Sequence, residues 1–249
     1  MGWINARRRR PVAGYAALLL GLVVIGLLYG ALTRTGAQAA PTTAQEDIAN
    51  GQVLFEATCS SCHGLDAQGT SQAPSLVGAG AAAVYFQMST GRMPAKEVGA
   101  ENVRGPVKFT DQQIYQIADY VASLGGGPPI PTAEQVSTEG ANTALGSNLF
   151  QANCAQCHGF AGDSGALTYG KFAPPLTQST PTQIYTAMLT GPEAMPVFSD
   201  GALSPQAKRD IIAYITQTRV EPNPGGFSLG RIGPSANTGI ASGPVSMAV

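Results

Sequence analysis

All four cysteines and both histidines of this 249-residue chain fall in two pentapeptides, Cys59-Ser60-Ser61-Cys62-His63 and Cys154-Ala155-Gln156-Cys157-His158. No Cys or His is left over for a separate site. Each pentapeptide also sits in the same surroundings. Gly51, Leu54, Phe55 and Ala57 precede the first as Gly146, Leu149, Phe150 and Ala152 precede the second. Downstream, Ala73-Pro74 and Leu76 match Ala173-Pro174 and Leu176. Tyr85, Met88 and Thr90-Gly91 match Tyr185, Met188 and Thr190-Gly191, Met93-Pro94 matches Met195-Pro196, and Ile117 with Tyr120 matches Ile211 with Tyr214. Preserved order with short gaps is the signature of a tandem duplication. The modules are residues 46–124 and 142–220, joined by a Gly/Pro linker at 125–141 and followed by a Gly/Pro-rich tail at 221–249.

CxxCH is the attachment pattern of c-type haem. Two thiols one helical turn apart can each add to a vinyl group on one edge of the macrocycle, and the adjacent His then reaches the iron. Cys59, Cys62, Cys154 and Cys157 are thus the expected covalent attachment points of two haems c, with His63 and His158 as proximal ligands. A covalent cofactor also suits modules of roughly 80 residues, which can barely build a core alone. A redox dithiol usually comes with a βαβ pattern, absent here. A CxxC disulfide makes a tight, strained loop and leaves the histidines unexplained. One zinc shared by four thiolates remains an alternative, although each pair sits in its own repeat with its own His.

With both histidines used, a sixth iron ligand must come from another residue type. Met93 and Met195 each precede a proline in a loop just before the last helix of a module, which suits a segment held against a haem face. Met88 and Met188, at helical spacing beside an aromatic, read as core. His–Met ligation leaves no vacancy for oxygen or peroxide and raises the potential, which points to electron transfer and to no catalytic site in the chain itself. The carbonyl of Pro74, and of Pro174 or Pro175, is the expected acceptor for the second ring nitrogen of each His.

Inside a module the reading is helical. Thr110 with Gln113 resembles a capping box, and Ile114, Ile117, Val121 and Leu124 follow at helical spacing. Ser204-Pro205 opens a helix through about Thr218. Helices at about 46–57 and 142–152 precede the Cys pairs. Gly51 and Gly146 inside them cost about 1 kcal/mol against Ala, and a close helix crossing, with Tyr120 and Tyr214 as partners, would account for that cost. No strand pattern of useful length occurs, so the fold class is all-α.

Residues 12–33 carry no charge and are long enough to span a bilayer, which takes about 20 apolar residues. Arg7–Arg10 in the preceding 1–11 segment make that end cytoplasmic and export the body. A cleaved signal competes, because Ala37-Gln38-Ala39 has the small-x-small form of a processing site, but secretory apolar cores are shorter, about 7–15 residues. Five of the fourteen basic residues precede the first acid, Glu46, leaving nine against fifteen and a net of −6 in the body. That balance argues against nucleic acid as a partner.

Taken together, the GxxLFxxxCxxCHG runs, the following Pro loops, the Met-Pro pairs and the aromatic-bearing last helices resemble tandem class I cytochrome c domains. With the N-terminal transmembrane helix, the chain is similar to the dihaem cytochrome c subunit of the actinobacterial cytochrome bcc complex, and Gly225–Pro234 (GGFSLGRIGP) is similar to the segment that follows the second domain there. In that family the segment leads into a second transmembrane helix; residues 235–249 are not apolar enough to span. The resemblance implies an electron-transfer subunit of a menaquinol–cytochrome c reductase in the cell membrane, its haem domains on the extracytoplasmic side. The implied partners are cytochrome b, a Rieske iron–sulfur subunit and a haem-copper terminal oxidase. A dihaem acceptor for an exported dehydrogenase and a free tethered carrier are the other readings.

Overall fold

The computed structural model describes residues 11–33, 43–99 and 102–220. Arg7–Arg10, Arg34, Ala37–Ala39 and the tail from 221 lie outside the described residues. The chain divides into two units, one on either side of residue 43. The first holds α1, Pro11–Thr33, an unbroken helix of 23 residues. Its described side chains run from Gly14 to Tyr29 and are exposed except at Gly21. Among the described residues no helix is long and apolar enough to cross a membrane.

In the second unit the same series of helices occurs twice. The first module has α2 (Ala44–Thr58), α3 (Ser60–His63), α4 (Gly80–Ser89) and α5 (Asp111–Ser123). A short α6 (Ala133–Val136) follows in the linker. The second module has α7 (Thr143–Asn153), α8 (Ala155–His158), α9 (Pro181–Thr190) and α10 (Pro205–Val220). Thr110 caps α5 through a reciprocal capping box, with Gln113 N donating to Thr110 Oγ1 at 3.3 Å and Thr110 N donating to Gln113 Oε1 at 3.0 Å. Ala207 N donates to Ser204 Oγ at the head of α10. Ile114, Ile117 and Val121 are buried, as their spacing predicts.

The two glycines sit at close crossings, α2 against α5 and α7 against α10. The expected tyrosine is met at the first crossing, beside a nearer backbone carbonyl, and not at the second. A Cβ at Gly51 would overlap the carbonyl oxygen of Gln116, with Tyr120 Cβ at 3.0 Å, and one at Gly146 would overlap the carbonyl of Asp210, with Ile211 N at 3.0 Å. The crossing brings backbone to backbone one turn before each tyrosine. The tyrosine rings pack on the phenylalanines, Phe55 on Tyr120 and Phe150 on Tyr214, each at 5.3 Å between ring centres. Such tilted aromatic pairs add about 0.5–1.5 kcal/mol beyond burial.

Two further elements were not apparent from periodicity. The linker contains α6, started by a Thr132–Gln135 capping box. The second module carries a two-residue antiparallel ladder, β1 (Gly165–Ala166) on β2 (Phe172–Ala173), with Gly165 opposite Ala173.

Candidate functional site

Each CxxCH forms one tight turn at the end of a longer helix. Cys59 N donates to Phe55 O at 2.7 Å and so closes α2; Cys62 N and His63 N then donate back to Cys59 O at 3.1 and 3.0 Å. In the second module Cys154 N donates to Phe150 O at 2.8 Å, and Cys157 N and His158 N donate to Cys154 O at 3.0 and 2.9 Å. The paired sulfurs therefore start from backbone positions one helical turn apart. The chain leaves each turn through a glycine of positive φ, Gly64 at 82° and Gly159 at 70°, a conformation that costs other residues.

The histidines are aimed by proline carbonyls. His63 Nδ1 lies 2.8 Å from Pro74 O and His158 Nδ1 lies 3.1 Å from Pro174 O. The acceptor in the second module is thus Pro174 and not Pro175. With Nδ1–H donating to a carbonyl, the free lone pair is on Nε2, the arrangement a ligating imidazole needs. Burial also lowers the pKa of His158, against the pull of the Pro174 hydrogen bond, and keeps the ring neutral. The proline loops are fastened at both ends. Gly69 N donates to His63 O at 2.7 Å and Leu76 N to Ala67 O at 2.8 Å, as Ser164 N donates to His158 O at 3.3 Å and Leu176 N to Gly162 O at 2.7 Å. The longer His-to-Pro stretch of the second module, 16 residues against 11, holds the β1–β2 ladder.

Cys154, Cys157, His158 and Met195 line one cavity of about 610 Å³, walled by Phe150, Ile184, Met188, Ile211 and Ile215. That size lies in the usual range of about 300–1,000 Å³ for cofactor pockets. In the first module Cys59 and Met93 pack against the core that contains Phe55, Ile114 and Ile117, and His63 is buried. Met88 and Met188 are core residues. Burial raises the pKa of Cys59 despite the Thr58 hydroxyl, and pushes that of Cys154 up to about 12, with Cys157 adding to the rise. Among the described residues no three His, Cys, Asp or Glu side chains converge, which leaves the shared-zinc reading without a donor set. A flat macrocycle held by two sulfurs and one imidazole fits these residues.

The family model for cytochrome c matches residues 48–125, and the model described as cytochrome C oxidase, cbb3-type, subunit III, matches residues 141–215. The cytochrome bc1 complex cytochrome c subunit of Corynebacterium efficiens is 44% identical over 250 residues, covering 92% of this chain and 83% of that protein. The chain belongs to this family. Subunits of the same description from Mycobacterium bovis and Mycobacterium leprae are 44% and 45% identical, covering 94% and 88% of this chain and 86% and 78% of their own lengths. The helical modules are cytochrome c domains, which imply covalently bound haem c, and electron transfer is the chemistry of the family.

Sequence reasoning missed one set of residues. Phe86, Arg92 and residues 102–105 of the first module line the cavity of the second. A signal was present: residues 95–110 separate Met93-Pro94 from its last helix, whereas only residues 197–204 separate Met195-Pro196 from α10.

Proposed function

We propose that this chain is the membrane-anchored dihaem cytochrome c of a quinol-oxidising bc-type complex, carrying electrons from a Rieske centre toward a haem-copper terminal oxidase. Its modules, 46–124 and 142–220, each bind one haem. Cys59 and Cys62 would hold the first covalently, with His63 and Met93 ligating its iron; Cys154 and Cys157 would hold the second, with His158 and Met195. The observation that carries this reading is the convergence of Cys154, Cys157, His158 and Met195 on one apolar cavity, with both histidines oriented by prolyl carbonyls.

One-electron exchange between ferric and ferrous iron is the chemistry that bound haem supplies. The protein's part is to keep ligands and solvent under control. The Pro74 and Pro174 carbonyls fix the imidazole tautomer and strengthen its basicity. Met93 and Met195 would hold the iron through thioether sulfur, which would favour the ferrous state. Phe150, Ile211 and Ile215 exclude water, which lowers the reorganisation that accompanies each change of charge. The anchor rests on the sequence alone: the uncharged run 12–33, preceded by Arg7–Arg10, supports a single pass with the modules on the extracytoplasmic side. Other subunits of the complex, cytochrome b and the Rieske protein among them, are the partners.

Purification of the full chain from its native membrane in mild detergent tests this. Cytochrome b and Rieske subunits should co-purify, with two haems per chain that survive denaturing electrophoresis. An exported dehydrogenase as sole companion would move the chain to that pathway, and isolation alone with both haems would make it a free carrier. Met93→Ala and Met195→Ala should each remove the weak near-infrared sulfur–iron band of one haem; unchanged spectra would refute the ligand assignment.

A further inference from the structure

One stretch of wall around the second module's cavity belongs to the first module. The charged residues of the lining are Arg92, Arg104 and Glu193, so both cations come from the other repeat. The loop that carries Arg104 is built into place. Gly105 N donates to Thr90 O at 3.2 Å, and Asn102 N donates to Glu193 Oε1 at 3.3 Å. Arg104 Nη2 donates to Ser179 Oγ and to Gln183 Oε1, both at 3.1 Å. Gln183, itself buried, donates back to Ser89 O at 3.0 Å. The loop, α4 and the head of α9 are thereby tied into one polar contact between modules.

Among these side chains it is Arg104 whose hydrogen bonds bring it no carboxylate. Both hydrogen bonds of Arg104 go to neutral oxygens, and both leave from one nitrogen of the guanidinium. Arg92 lies on the same wall, its guanidinium carbon 5.0 Å above the Phe86 ring. The group implied for the cavity carries two carboxylates, and guanidinium is the side chain best matched to carboxylate in a partly buried setting. We propose that the haem site of the second module is shared between the repeats, with Arg104 of the first module supplying the cation that receives a haem carboxylate. This rests on the function proposed above.

A fixed positive charge beside the haem favours the reduced form, which carries one positive charge fewer than the oxidised form. Redox titration of the full-length haem-loaded chain, followed optically and by EPR, separates the two haems. The second is assigned by its absence from a chain carrying Cys154→Ala and Cys157→Ala. In Arg104→Gln the reduced-to-oxidised ratio of the second haem at a fixed potential should fall about tenfold, about 59 mV for a one-electron couple, while the first haem stays put. Arg104→Lys should retain most of the wild-type value. Loss of the second haem alone in Arg104→Gln, with Arg104→Lys still loaded, would equally support the shared site. Two haems whose potentials do not move in Arg104→Gln, or move together, overturn this inference alone. A wild-type chain without haem at Cys154 and Cys157 overturns it together with the proposed function.

Discussion

Lys208 offers a sharp test of how the Met195 loop is held. It is fully buried, donates to Asp200 Oδ1 at 2.6 Å and Leu203 O at 2.9 Å, and lies 5.6 Å over the Tyr185 ring. Asp200, by contrast, is 61% exposed. At the corresponding place of the first repeat stands Ile114, buried with no charge. Removing the two partners should therefore have unequal effects. Asp200→Ala leaves a buried ammonium without its carboxylate, which costs about 3–5 kcal/mol. At about 2–4 °C per kcal/mol for a chain of this size, the melting temperature should fall by about 6–20 °C. Lys208→Met leaves a carboxylate that water can reach. It loses the bond to Leu203 O, worth about 1–3 kcal/mol, and relieves a desolvation cost of several kcal/mol. That variant should stay within about 2 kcal/mol of wild type. Thermal unfolding of the haem-loaded chain, followed by circular dichroism, measures both. If Lys208→Met is as damaging as Asp200→Ala, the reasoning about which partner is stranded is wrong.

Gly146→Ala forces a methyl group onto the Asp210 carbonyl and should cost about 1–3 kcal/mol by overpacking, read in urea unfolding; a stabilised variant would mean the crossing is looser than described. Thr110→Ala removes the cap of α5 and should cost about 1 kcal/mol in the same assay. Burial and then Asp47 raise the pKa of Asp119, so the native state binds more protons than the unfolded chain and stability falls as pH rises through the native pKa. Asp119→Asn should therefore stabilise at pH 7 by a solvent-screened amount of about 0.2–1 kcal/mol, and the gain should vanish below about pH 4 in melting curves taken across that range.

Much of the site was legible because covalent attachment demands a fixed local sequence. The CxxCH turn, the following glycine and the prolyl acceptor are all short-range features, and Pro74 and Pro174 fall where such a loop must return. Helix starts at Thr110 and Ser204 were legible for the same reason, since a cap is read within four residues. The closeness of the helices at Gly51 and Gly146 could be inferred, but not the atom met, because a helix offers its backbone to a neighbour between its large side chains. The β1–β2 ladder, two residues on each side, is too brief for any period to reveal. Arg104 is the opposite case to CxxCH: its partners Ser179 and Gln183 lie 75 and 79 residues away, and only folding both repeats together makes it part of a site.

The linker is not slack. Arg209 on α10 donates from Nε to Ser137 O at 3.0 Å and from Nη2 to Glu139 O at 2.7 Å, and Asn142 N donates to Asp210 Oδ1 at 2.8 Å. Together with the Arg104–Gln183–Ser89 contact, these bonds deny the repeats the independent swing of a tethered shuttle. If each half holds one haem as proposed, electrons crossing between them would face a constant gap, like a hop between fixed stepping stones, and the rate would carry no term for a search through solution.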